Sequence, residues 1–153
     1  MSKGLSRKIP AMPNSFPFNE LLLKGMLSAK TRNWRWSHSG LTLLYTSTST
    51  ASEVAKAYGL DPKLARRGVI VGAGELVSVR ELSKKEARQI EQEFSNGSSK
   101  LAAVAGLYRY EFRNLKRFRK PIPFRPPRGA VRTFNVPLAV VADALEEVGM
   151  SPI

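Results

Sequence analysis

The chain has no cysteine, a single histidine and no long apolar run, and its 12 Asp and Glu number fewer than half of its 25 Lys and Arg. Each shortage excludes something. Without cysteine there is no disulfide framework, thiolate zinc site or thiol nucleophile. The one histidine, His38, lies in the turn-like "SHSG" with no second imidazole nearby in sequence. A metal would have to rest on carboxylates and that lone ring, so no metal and no cofactor is expected. No apolar segment approaches about eighteen residues, and "MSKGLSRKIPAM" follows its cations with no hydrophobic stretch, so neither a spanning helix nor a secretory signal is expected. A soluble, cytoplasmic protein with no membrane partner is the expectation.

What the chain does have is positive charge and enough apolar residues to fold. At 153 residues and 42% hydrophobic content it suits one ordinary domain with a real core. Its net charge of +13 attracts a polyanion, because neutralised phosphates release counterions. RNA or another single-stranded nucleic acid is the first partner expected; a place in a ribonucleoprotein or viral assembly is another use of the same charge. The surplus is concentrated twice. "KGMLSAKTRNWRW", residues 24 to 36, holds four cations and two tryptophans without an acid. Between Arg109 and Arg132 nine cations face the single acid Glu111, interleaved with Tyr110, Phe112, Phe118 and Phe124. Such aromatics either stack on bases or fill the core side of an antiparallel strand.

Local patterns predict the elements. "NSFPFNELLLKG" reads as a short helix capped by Asn14 or Ser15 and ended by Gly25. "KTRNWRW" and "LTLLYTS" read as two strands of a hairpin joined through "SHSG". Thr50 and Glu53 in "TASE" form a capping box for a helix that Gly59 stops, and Ser83 and Glu86 in "SKKE" form another, with Ala87, Ile90 and Phe94 on one face. "GVIVGAGELVSVREL" is a strand with a buried first half and a half-exposed second, bent or bulged at Gly72 and Gly74. "SNGSSK" is a loop. "LYRYEFRNLKRFRKPIPFRPPRG" is an edge strand running into an extended, proline-rich loop. A last helix from Pro137 to Gly149 buries Leu138, Val141, Ala142, Leu145 and Val148, with Asp143, Glu146 and Glu147 off that face.

Three segments in this order, "FNELLLKGMLSAKTRNW", "GVIVGAGELVSVREL" and "LKRFRKPIPFRPPRGAVRTFNVP", resemble the ASCH domain of the PUA-like superfamily over about residues 15 to 136. The resemblance implies an α+β fold, a small, mostly antiparallel β-barrel flanked by short helices, in a single domain. Residues 1–14 would then be an N-terminal segment and 137–153 a C-terminal helix packed on the domain. It also implies a cleft that accepts RNA or a modified nucleoside. Gly25 and Arg32 match the family signature Gly-x-Lys-x-x-Glu-x-Arg, whereas Leu27 replaces its lysine and Lys30 its glutamate. Family enzymes that cleave RNA or deacylate modified cytidine are thought to use a lysine with a hydroxyl or carboxylate near this signature. With Leu27 and Lys30 in place, binding without catalysis is the leading expectation, and a ribonuclease or nucleoside amidohydrolase is the alternative.

The candidate binding residues are Lys24, Lys30, Arg32, Trp34, Arg35, Trp36, Tyr45, Arg113, Lys116, Arg117, Arg119 and Lys120. Trp34 and Trp36 are two apart, hence on one face of a strand, either both in the core or both toward a cleft where stacking and cation–π attraction would hold a base. The hydroxyl run "YTSTSTASE" offers phosphate contacts around Thr50 or simply caps a helix. If the protein is an enzyme, Lys30, Thr31, Tyr45 and Glu75, with Ser28, are the candidate participants, Glu75 acting if it is buried near Lys30.

Overall fold

Six strands hydrogen-bond in the order β2-β5-β4-β3-β1-β6, in a computed structural model that describes residues 7–27, 29–93, 108–130 and 132–150. The strands are β1 (Lys8–Phe16), β2 (Ala29–Arg32), β3 (Gly40–Thr50), β4 (Val69–Glu81), β5 (Tyr108–Pro123) and β6 (Phe134–Pro137). The helices are α1 (Phe18–Leu23), α2 (Ser52–Ala57), α3 (Lys84–Glu93) and α4 (Leu138–Glu147), with a single 3-10 turn at Pro62–Leu64. The fold is α+β, and β1 with β3 is the parallel pair in an otherwise antiparallel ladder of the described residues. Closure into a barrel is not among the pairings: β2 and β6 stand at the two ends of the sheet.

The least foreseen element is β1. Sequence reading makes residues 1–14 a preceding segment and Asn14 or Ser15 a helix cap, whereas the strand found here contains Pro10 and Pro13, residues that argue against a place in the middle of a sheet. The structure evades that argument by position. Pro10 comes before the first β3 partner, Ala11 opposite Leu43. Pro13 lies beyond the end of β6, whose pairing with β1 covers Lys8 to Ala11. Since N and C=O of one strand residue point the same way, the missing N–H of Pro13 faces the side where β6 has ended, and its carbonyl there accepts from Arg32. Helix α1 begins only after Pro17, without a side-chain cap.

Three further expectations are corrected, the second of them in part. β2 and β3 do not form a hairpin: β2 pairs with β5, Ala29 opposite Glu111 to Arg32 opposite Tyr108, while β3 lies between β4 and β1. Residues 33–36 continue from β2 without joining the ladder. β5 is an edge strand only in part, since its first four residues lie between β2 and β4 and the rest extends past the short β2. The Thr50–Glu53 box is not formed, because Thr50 still belongs to β3, Ala51 takes the cap position without a side-chain bond, and the Thr50 hydroxyl accepts from Arg67 Nε at 2.8 Å. The Ser83–Glu86 box is formed in both directions at 3.1 Å each. Phe94 and "SNGSSK" lie outside the described residues, as do the side chains of Ala87 and Ile90.

Both faces of the sheet are covered, which is why Thr42–Thr46 are buried without a break. On one face α4 presents Leu138, Val141 and Leu145 to Ile9, Leu43, Tyr45, Ile70, Phe118 and Val136. On the other, Leu21, Leu22 and Leu27 pack with Val54 of α2, and Leu44, Val69 and Val71 lie beneath them with Leu23. The β4 glycines allow β5 to cross closely. A Cβ on Gly72 would stand 2.3 Å from the Lys116 carbonyl oxygen, and one on Gly74 would stand 2.6 Å from a Leu115 methyl. The β4–β5 register slips at those places, between Ile70 and Gly72 and between Ala73 and Glu75. Because backbone cannot swing aside as a side chain can, Gly72→Ala should cost at least about 1–3 kcal/mol in urea unfolding, whereas Val77→Ala, at a site 44% exposed, should stay within about 0.5 kcal/mol. Equal midpoints for the two variants would contradict this account of the crossing.

Candidate nucleic-acid interface

Where β1 runs on past the end of β6, the sheet leaves an open cleft of about 520 Å³. Its floor is Pro13–Ser15 of β1 with Tyr45 and Ser47–Ser49 of β3. One wall is Lys30–Trp34 with Phe18, and the other is Pro126, Ala130, Arg132 and Phe134. Three cations, Lys30, Arg32 and Arg132, line it, with no acid. An uncompensated positive concavity of this kind attracts anions.

Arg32 is fixed before any ligand arrives. Its Nη1 donates to the Pro13 carbonyl at 2.8 Å and to Asn14 Oδ1 at 2.6 Å. Asn14 Nδ2 in turn donates to Asn19 Oδ1 at 2.8 Å, and Asn19 Nδ2 to Thr46 Oγ1 at 3.2 Å. Asn14, Asn19 and Thr46 are all buried. The chain of bonds thereby ties β2, β1, α1 and β3 to one another behind the cleft.

Lys30 sits beside it, half-buried, with its ammonium 3.7 Å from the centre of the Phe18 ring. Burial first, and the Arg32 charge second, push it down to about 7 from the ordinary lysine value. The residue is thus poised between charged and neutral near physiological pH. Serine hydroxyls edge the floor as a rim: Ser15 Oγ lies 2.6 Å from Ser49 Oγ, which lies 2.9 Å from Ser47 Oγ. Tyr45 donates its hydroxyl to the Phe124 carbonyl at 3.0 Å, and burial raises it above the usual phenol value. Trp34 holds guanidinium groups against its ring, Arg32 at 4.9 Å and Arg132 at 5.4 Å. Its carbonyl accepts from Tyr110 at 2.7 Å, a phenol that burial pushes up to about 12 and so keeps a donor.

Of the sequence candidates, the structure brings Lys30, Thr31, Arg32, Trp34 and Tyr45 into the cleft. Both tryptophans pack on the cluster of Met12, Leu76 and Tyr110, but Trp36 is outside the cleft lining and lies 4.7 Å from the His38 ring. His38 Nε2 is within 3.1 Å of the Leu41 carbonyl and 3.0 Å of the Thr42 hydroxyl, a local structural role. Arg35 is exposed and outside the lining, and Ser28 lies outside the described residues. Leu27, at the signature lysine position, is buried against Leu21, Leu22 and Val54.

The β5 cations are spread over other surfaces. Arg113 pairs with Glu75 at 3.0 Å, Arg117 grips Glu20 with two bonds of 2.9 and 2.7 Å, and Arg119 approaches Glu147 at 3.7 Å. Lys116 and Lys120 are exposed. Glu75 is not near Lys30. It lines a separate depression with His38, Asn114 and Lys116, where bonds from Asn114 and then Arg113 hold its carboxyl below the usual range, so it is ionised and engaged. Lys24 lines a third depression, with Glu20, Arg66 and Arg117. Among the described residues no group of His, Asp and Glu could hold a metal. Sequence reasoning missed Asn14, Asn19 and Arg132 as parts of the site, and it flagged the serine run without its rim geometry.

Solved structures share this architecture over nearly the whole chain. ASCH from Zymomonas mobilis superposes with a TM-score of 0.58 at 10% identity, covering 91% of this chain and 94% of that one. A serine-to-alanine mutant of the same ZmASCH protein gives 0.56 at 10% identity, covering 93% of this chain and 97% of that one. The chain has an ASCH-like fold. A tyrosine-to-phenylalanine mutant of ZmASCH agrees, with a TM-score of 0.56 at 9% identity over 92% of this chain and 98% of its own. No protein-family model and no curated protein matches the sequence. The ASCH-like fold is carried here by a sequence in which nine positions in ten differ, so what the cleft does must be argued from its own residues.

The lowered Lys30 has a measurable consequence. Its folded value of about 7 lies below its unfolded one, so between those limits the unfolded chain binds the extra proton and stability rises with pH. Below pH 7 both states are protonated and that contribution is flat. Lys30→Met should therefore be more stable than the natural chain at pH 7, with the gap narrowing toward pH 10 in urea unfolding. A gap that stays constant over that window would show that Lys30 titrates as an ordinary surface lysine.

Proposed function

We propose that the protein binds RNA or another single-stranded nucleic acid in the cytoplasm and that the cleft receives one nucleotide of the strand. The observation carrying this is the cleft's composition, three cations and no acid beside Phe18, Trp34 and Tyr45. Phosphate is met by Lys30, Arg132 and the serine rim, while Arg32 is already committed to Pro13 and Asn14 and shapes the site. Stacking falls to exposed parts of Trp34 and to the guanidinium of Arg132, which lies over that ring and presents a flat cation to an incoming base. The ASCH-like fold shared with the solved structures is consistent with nucleic-acid binding and bears on the fold alone. A docked place in a ribonucleoprotein assembly would use the same surface.

Binding should weaken with salt, with a slope of about −0.7 per phosphate contacted. Arg132→Ala should lower affinity for single-stranded RNA in fluorescence anisotropy by about 1–3 kcal/mol, while Lys85→Ala on α3 should change it little. Affinity that is insensitive to salt, or equal losses from both variants, would replace a directed site with undirected charge attraction.

One observation favours a second reading, catalysis of the ribonuclease or nucleoside-amidohydrolase type. A lysine near 7 in a half-buried cleft lined by Thr31 and three serines is a competent proton acceptor. Turnover of RNA or of an acylated cytidine in the presence of chelator, rising as pH passes 7 and abolished in Lys30→Met, would establish it. Retention of the ligand without turnover over hours leaves binding alone.

A further inference from the structure

Arg32 is committed to Pro13 and Asn14 through Nη1 alone. An arginine carries five N–H donors, two on each terminal nitrogen and one on Nε. Both donors of Nη1 are taken, by the Pro13 carbonyl at 2.8 Å and by Asn14 Oδ1 at 2.6 Å. Among the described residues Nε and Nη2 have no hydrogen-bond partner, and neither is a buried polar atom left without one, so both keep access to solvent. Arg32 lines the cleft, and it is there that these donors open. Nε–H and one N–H of Nη2 run parallel, the fork with which arginine takes two neighbouring acceptors at once. The fork is held in place, because Nη1 is fastened to β1 and Cζ lies over the Trp34 ring, 4.9 Å from its centre.

Two features suit this fork to a base in place of a phosphate. The first is depth. Arg32 and Trp34 are half-buried, whereas Arg132, Thr48 and Ser49 on the same cleft are exposed. A phosphate, which holds its charge and its water, is met by the exposed groups, and the inner fork is left for the less hydrated base. The second is the shortage of acceptors. No acid lines the cleft, and the Pro13 carbonyl and Asn14 Oδ1 are already spent on Nη1. An exocyclic amine brought to Arg32 would meet a donor.

We infer that Arg32 reads the base of the bound nucleotide and that this base is guanine, whose O6 and N7 are adjacent acceptors on one edge. This rests on the reading of the cleft as a nucleotide site and adds which nucleotide it takes. Adenine sets its N6 amine beside N7, donor against donor, and uracil sets N3–H beside O4. Cytosine has an acceptor pair in N3 and O2, but O2 adjoins the glycosidic bond, so offering that pair to the inner fork would carry the ribose inward with it. A purine also presents the wider face to Trp34 and to the Arg132 guanidinium over it.

The natural chain is titrated, by fluorescence anisotropy at one salt concentration, with single-stranded RNA of about eight uridines. One central position is left as uridine or carries guanosine, inosine, 7-deazaguanosine, adenosine or cytidine. The guanosine strand should bind at least about fivefold more tightly than the adenosine, cytidine and uridine strands, the lower end of what one bidentate base contact gives. Inosine, which keeps O6 and N7 and lacks the 2-amino group, should match guanosine. 7-Deazaguanosine, with C–H in place of N7, should fall to the adenosine level. Arg32→Lys has no planar fork and should bind the guanosine and adenosine strands alike, with circular dichroism to show that it is folded. The series of bases needs no variant, so it decides the matter even if Arg32→Lys does not fold. Guanine reading is overturned if adenosine or cytidine leads, if 7-deazaguanosine binds as tightly as guanosine, or if folded Arg32→Lys keeps the preference. Equal affinity for all the strands overturns it too while leaving the cleft a nucleotide site, whereas binding to none of them removes the cleft reading itself.

Discussion

Arg32 is the residue on which the rest of the site depends. Its guanidinium reaches from the edge strand β2 to β1, which lies at the opposite end of the sheet order but for β6. Two strands with no ladder between them are thus held by a charged donor on a carbonyl and an amide, among the stronger hydrogen bonds a protein makes. The strain on specificity is taken up behind it, where Asn14, Asn19 and Thr46 pass the bond on to α1 and β3. A half-satisfied buried network would cost more than an apolar core. Here each link has its partner, and the cleft acquires a rigid back wall in place of barrel closure by backbone pairing.

The same guanidinium sets the electrostatics in front of it. Lys30 precedes it by two residues on β2, so the two side chains emerge on the same face. One cation has its Nη1 engaged by two protein acceptors. The other is left with an aromatic ring and a repelling neighbour, and burial makes its charged form costly. A nearby anion would favour the charged form of Lys30, and its neutral form is accessible without one.

Much of the fold was legible where local chemistry decided it. The β4 valines, the glycine pair that lets β5 cross, the Ser83–Glu86 box and the apolar face of α4 all follow from period and capping. β1 was not, because a proline's veto on a strand depends on which side its missing N–H faces and on how long the neighbouring strand is, and neither is local. The same holds for the β2–β5 pairing. Strands that adjoin in sequence usually pair, yet residues 33–36 lead away from the ladder, with Trp34 and Trp36 pinned by the Tyr110 cluster.

For the site, the sequence displays which residue types are present but not which of them come together. Charge run 24 to 36 is divided by the fold: Lys24 goes behind α1, Lys30 and Arg32 go into the cleft, and Arg35 goes to solvent. The nine cations between Arg109 and Arg132 separate likewise, several neutralised by acids distant in sequence such as Glu20 and Glu147. A cation count therefore overstates the directed field. Which cations keep a carboxylate is settled by packing: Glu20 reaches Arg117 because α1 lies across β5, and both of its oxygens are then taken, so that among the described residues Lys24, four positions on, is in no ion pair.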